Sequence, residues 1–115
     1  MTLRGTIEFE PGAPPVHDAN VIVRLEDTSH ADKPARTIAE KVMRGVSWSG
    51  NPAEHVPFAL EVPATSSSGH RYELRAHVDT SRTQEVSRGD FVTTQSYPVS
   101  PDGSPEMHLR VKWLR

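Results

Sequence analysis

The chain contains no cysteine among its 115 residues. That excludes disulfide frameworks, zinc ribbons, thiolate catalysis and anchoring through a lipidated Cys within this sequence. Neither charge sign is in excess, with Lys+Arg 13 against Asp+Glu 15. A nucleic-acid binder driven by overall electrostatics is therefore not expected. No apolar run approaches the roughly 20 residues that a spanning helix needs. The opening MTLRGTIEFE has no hydrophobic signal core, so no targeting segment is expected there. Aromatics are sparse at 6%, and no stretch shows the sustained 3.6-residue period of a long amphipathic helix.

What is present is alternation. Leu3, Gly5, Ile7 and Phe9 share one face, with Arg4, Thr6 and Glu8 on the other. This is the period of a strand with one side buried. EPGAPP then stops it, because proline brings no ladder donor. Val21, Val23 and Leu25 form a second inward set, followed by the turn-rich DTSHADKP. TIAEKVM is short and lies among strands, so it is read as a third strand although its composition also suits a helix. Val56, Phe58, Leu60 and Val62 make a fourth. Tyr72, Leu74, Ala76 and Val78 make a fifth, and Met107, Leu109, Val111 and Trp113 close the chain. Between these last two, DFVTTQSYPV is β-rich with no fixed register, consistent with a bulge. SSSG at Ser66 to Gly69 reads as a loop. The expectation is one all-β domain over residues 1–115, an antiparallel, immunoglobulin-like sandwich of about seven strands. It would bury about 20 inward side chains, enough for a cooperative core. Tyr72, following Gly69, is placed either as a tyrosine corner or as a plain core residue, structural in both cases.

Chemistry-bearing spacings are scarce. The histidines at 17, 30, 55, 70, 77 and 108 form no H-E-x-x-H array. Three or four convergent ligands are needed for zinc, so no metal site is assigned. No G-x-S-x-G elbow and no Gly-rich phosphate loop occur, and no catalytic or cofactor-binding residue is assigned. The alternative class is a small ligand-binding domain or hydrolase built from loop residues such as His30, Asp32 and His55.

Binding surfaces fit better. Arg75 and His77 face outward on one strand, and Arg110 and Lys112 on another. If those strands pair, they make a modest basic patch, against the plainer reading of a solvated outer face. Trp48, in RGVSWSGNP, either anchors a protein partner or folds back over an open end of the sandwich. A sheet edge is the third candidate for a protein partner, with prolines at 14, 15, 34, 57 and 98 guarding strand ends.

The stretch DANVIVRLEDTSHADKP, Asp18 to Pro34, resembles the diagnostic segment of the type III secretion system lipoprotein chaperone family. That family takes in YscW-like secretin pilotins and YbaY-type lipoproteins. Its matching residues are Ala19, Val21, Val23, Leu25, Asp27, Ser29, Ala31, Asp32 and Pro34. Leu3–Ile7, Ile38–Ala39, Val56–Phe58 with Leu60, Tyr72–Ala76, Phe91 and Tyr97–Val99 follow the pattern in order. The resemblance implies a β-sandwich, a non-enzymatic accessory role toward a protein partner, and a place in the cell envelope. Physically, Asp27, Ser29 and Asp32 suit a polar turn that bonds nearby backbone, so the signature is explicable as fold maintenance. Two features depart from the family. This sequence carries no leader or lipidated cysteine, and RGVSWSGNPAEHV is a longer, more polar connection than usual.

Overall fold

A computed structural model describes residues 2–30, 32–63, 70–100 and 106–115. Every element among them is a strand: β1 Thr2–Phe9, β2 Val16–Asp27, β3 Arg36–Trp48, β4 Val56–Glu61, β5 Tyr72–Asp79, β6 Phe91–Thr93, β7 Pro98–Val99 and β8 Met107–Trp113. They form one sheet in the order β3-β2-β5-β6-β8-β1-β4, with β7 on β5. Its two end strands, β3 and β4, approach within 8 Å between Cα atoms but share no ladder, so the sheet curls into a nearly closed barrel.

The expected all-antiparallel sandwich of about seven strands is thus corrected to eight strands in a mixed sheet. β1 and β8 run parallel, with Ile7 opposite Leu109 and Phe9 opposite Val111. Alternation marks which face of a strand is buried and is blind to strand direction. The predicted inward residues do line the core, with Leu3, Ile7, Val21, Val23, Leu25, Leu74, Val78, Leu109 and Val111 almost fully buried.

Gly5 makes the parallel pairing possible. A Cβ there would lie 2.0 Å from the Met107 carbonyl oxygen and 2.9 Å from the Phe58 ring. Both the backbone of β8 and the core ring would have to move. Gly5→Ala is therefore expected to cost about 3 kcal/mol, the upper range for overpacking, read as a lower midpoint in urea unfolding.

β2 and β3 run longer than the alternation indicates because bulges break their period. Register shifts fall between Val16 and Ala19, between Ala19 and Val21, and between Leu25 and Glu26. Asp18 and Gly45 take left-handed φ values of 52° and 66° at the first two. Of the polar residues at and after the end of β2, Asp27 and Ser29 make the local bonds expected of such a turn. Asp27 Oδ1 accepts from the Ser29 backbone N–H at 2.9 Å and its hydroxyl at 2.5 Å, while Oδ2 meets His70 Nδ1 at 2.6 Å. The bonds from the Ser29 hydroxyl, His70 and the Ser29 main chain hold the Asp27 carboxyl well below the usual carboxylate range. Ser29 Oγ in turn accepts the Arg71 N–H at 2.8 Å, joining the start of the β2–β3 connection to the end of the β4–β5 connection.

Tyr72 is buried and its ring stacks on His70. The Gly69 of the proposed corner and the SSSG loop lie outside the described residues. Among the described residues, a phenol reaching main chain occurs at Tyr97, whose hydroxyl accepts the Arg110 N–H at 2.8 Å. β6 is only three residues long, so Tyr97 supplies a partner where that short strand has ended.

Candidate functional site

The outer face of β2, β5 and β6 carries a trough built in a direct row. Val42, Ile22, His77 and Val92 stand opposite one another across β3, β2, β5 and β6. Ile22 and Val92 supply an apolar floor, while Arg24, Glu26, Arg75, Gln84 and Val86 rise around it to enclose about 220 Å³. A second hollow of about 200 Å³ adjoins it over Ile22, Arg24 and Gln84, reaching Val42 and Arg44. The two are halves of one trough.

Its wall is the connection between β5 and β6, residues 80–90. Two buried carboxylates hold that segment in shape. Asp79 accepts the backbone N–H groups of Thr83 at 3.2 Å and Gln84 at 2.8 Å. Asp90 accepts the Thr80 N–H and hydroxyl on Oδ1, and the Ser87 N–H and His77 Nε2 on Oδ2, all within 3.1 Å. Burial pushes the Asp90 carboxyl up, but the bonds from His77, Thr80 and Ser87 outweigh it and leave it below its ordinary value. Arg82 reaches across to Asp18 at 2.6 Å. Gly89 N–H donates to Leu114 O, and Leu114 N–H to Asp90 O, tying the segment to the end of β8.

So clamped, the segment keeps two non-glycine residues in left-handed conformation, Arg82 at φ 57° and Gln84 at φ 70°. Each such residue costs of the order of 1 kcal/mol, so the hydrogen-bonded clamp must overdetermine the shape. What the strain achieves is the placement of Gln84 and Val86 along the trough. Val86 is 59% exposed, the large hydrophobic side chain that stands out from an otherwise covered set among the described residues.

The sequence-predicted residues divide between two places. Arg75 and His77 line the trough, but neither offers free charge. Arg75 Nε lies 2.6 Å from Glu26, and His77 is buried against Asp90. Arg110 and Lys112 lie on β8, which does not pair with β5. β6 sits between them, with Val92 opposite both His77 and Lys112. Arg110 lies 3.9 Å from Glu8. The joined basic patch that direct β5–β8 pairing would make is therefore not formed. Trp48 closes β3 rather than standing in a loop, and is 3% exposed. Its ring stacks on Phe9 at 4.3 Å and its Nε1–H donates to the carbonyls of Asn51 and Glu54. That burial removes it from the surface and corrects its reading as a partner anchor.

The hydrolase alternative drew on His30, Asp32 and His55. The first two precede β3 and His55 follows it. Twelve steps along that strand span about 40 Å, so these groups do not converge. The trio the sequence reading missed is His77, Asp79 and Asp90, whose ligand-type atoms lie within 4.8 Å of one another. Every oxygen of the two carboxylates already accepts a protein donor, which makes the trio a clamp for the wall. The turn-forming DTS and SRGD around residues 79–90 were the available signal.

The family model for the type III secretion system lipoprotein chaperone (YscW) matches residues 1–111. Among solved structures, an alternative pilotin from the type II secretion system of Vibrio cholerae is similar in fold, with a TM-score of 0.73 and 23% identity. The match covers 100% of this chain and 97% of that one. No curated protein matches the sequence. Among the described residues no helix is long and apolar enough to cross a membrane.

Proposed function

Since the chain belongs to the type III secretion system lipoprotein chaperone family, we propose that it is a non-enzymatic binding module that holds a segment of a secretin-type protein partner. The segment lies in the trough on β2, β5 and β6. One observation carries this reading: a strained, doubly clamped wall holds an exposed valine over an apolar floor. The strained backbone at Arg82 and Gln84, held by the clamp, is what supports a functional reading of this wall, since strain of this kind clusters at binding sites. Binding without catalysis fits the same residues, since the carboxylates and the histidine beneath the wall are occupied by structural hydrogen bonds. Of the residues singled out from sequence, Arg75 and His77 belong to this surface, the first on its rim and the second under its wall. Arg110 and Lys112 flank it from β8, beyond β6.

The test is a titration of the purified chain against labelled synthetic peptides that tile the secretin of the source organism, read by fluorescence anisotropy. At least one peptide is expected to bind. Val86→Asp is expected to weaken that peptide by about tenfold or more, because it puts a carboxylate over an apolar contact. Its melting temperature should stay unchanged, since residue 86 is exposed. If every peptide fails, or if the variant binds as the parent does, the reading is wrong.

A further inference from the structure

We infer that the partner segment is acidic as well as apolar, with a carboxylate that pairs with Arg44 at the far end of the trough. The inference rests on the trough being the partner site. It comes from accounting for the charges that line both halves. Arg24 Nε is taken by Glu40 at 2.6 Å, and Arg75 by Glu26 at 2.6 Å and Glu73 at 3.6 Å. His77 faces Asp90. Asp79 also borders the second half, but it is fully buried and its two oxygens accept backbone N–H groups. Arg44 is exposed and has no ion pair or hydrogen bond among the described residues. It is the uncompensated cation of the lining.

A guest charge therefore finds one complementary group, and it is positive. An incoming lysine or arginine would meet Arg44 with no free carboxylate to offset it. A wholly uncharged segment would leave the exposed guanidinium to water and gain nothing from it. Geometry adds a spacing. From Val92 to Val42 the row crosses β6, β5, β2 and β3, three inter-strand gaps or about 14 Å. An extended peptide covers that distance in about four residues. The guest thus carries an apolar side chain over Ile22, Val86 and Val92 and an acidic one about four residues away.

Three end-blocked, fluorescein-labelled peptides of about ten residues provide the test. They carry a Leu-Val pair and, about four residues on, an Asp, an Asn or a Lys. The Asp peptide is expected to bind the parent chain about fivefold or more tightly than the Lys peptide, with the gap closing as salt rises. Arg44→Glu should reverse that order while leaving the melting temperature in place, since Arg44 has no described contact to lose. If Arg44→Glu keeps the Asp preference while Val86→Asp weakens all three peptides, the acidic reading falls and the trough stands. If neither variant changes any affinity, or none of the peptides binds, the inference is overturned. The secretin peptide series decides the trough separately.

Discussion

Trp48→Ala is expected to lower stability by about 4 kcal/mol, within the range measured for removing a buried large aromatic. At this chain length that corresponds to a fall in melting temperature of roughly 15 °C. The indole plugs one end of the core. It stacks on Phe9 at 4.3 Å with the rings 9° from parallel, and Phe91 meets both Phe9 and Trp48 edge-on. Such aromatic pairs add about 0.5–1.5 kcal/mol each beyond area burial. The loss would not stop at packing. The Nε1–H that bonds Asn51 O at 2.9 Å and Glu54 O at 3.1 Å draws the β3–β4 connection over the ring. Removing the ring leaves those two carbonyls without their donor. Trp48→Phe keeps most of the stack and loses only the donor, so a smaller cost of about 1–2 kcal/mol is expected. The pair of variants separates the two roles open to this residue. A partner anchor would lose affinity at constant stability, whereas a core plug loses stability. A melting temperature for Trp48→Ala within a few degrees of the parent would refute the plug.

Trp48 also shows where sequence legibility ended. The Gly/Ser/Pro setting of RGVSWSGNP points to a loop, whereas the structure carries β3 through to Trp48. The difference has a local cause. Gly45, in left-handed conformation, inserts an extra residue into β3 opposite Ala19 and Val21. Past that point the inward positions shift by one, so Trp48 points inward at a place that an unbroken period would not select. Where no bulge intervenes, the period reads cleanly. β8 begins and ends at Met107 and Trp113 as the alternation places it, and β1 and β4 agree within one residue at each end.

Direction and coverage were the other illegible properties. Nothing in Leu3, Ile7 and Phe9 says whether the neighbour runs parallel or antiparallel; the ladder itself, with Ile7 opposite Leu109 and Phe9 opposite Val111, reveals it. His77 lies two residues along β5 from Arg75, yet the two differ widely in exposure. Arg75 stays half exposed while His77 is covered by the wall. The cover depends on how a segment far from helix or strand periodicity folds back, which is settled by Asp79 and Asp90 through tertiary hydrogen bonds. The candidate site was therefore visible only in part: alternation puts Arg75 and His77 on its face, whereas Ile22 and Val92 of its floor and the whole of its wall emerge only from the tertiary structure.

That wall rests on Asp90, which accepts donors from His77, Thr80 and Ser87. Asp90→Ala is expected to cost about 3–5 kcal/mol, because it strands several buried or part-buried donors that cost about 1–3 kcal/mol each when unpaired. Those donors are His77 Nε2, the Thr80 N–H and the Ser87 N–H. The damage should begin in the wall. Hydrogen exchange at Thr80 and Ser87 is expected to rise sharply, and binding at the trough should fall with it, before the β1–β8 ladder loses protection. The pH dependence follows from the sign of the Asp90 shift. Its folded value is held below the ordinary one, so the ionised carboxylate contributes fully above the unfolded value near pH 4 and progressively less as pH falls through the folded value. The stability gap between parent and Asp90→Ala should accordingly be wide at about pH 5 and narrow below about pH 4, measured by urea unfolding at each pH. A gap that stays constant into acid would mean that the ionised carboxylate is not what holds the wall. Unchanged exchange at Thr80 and Ser87 would mean that the wall needs no clamp, and the rigid placement of Val86 over the trough would lose its physical basis.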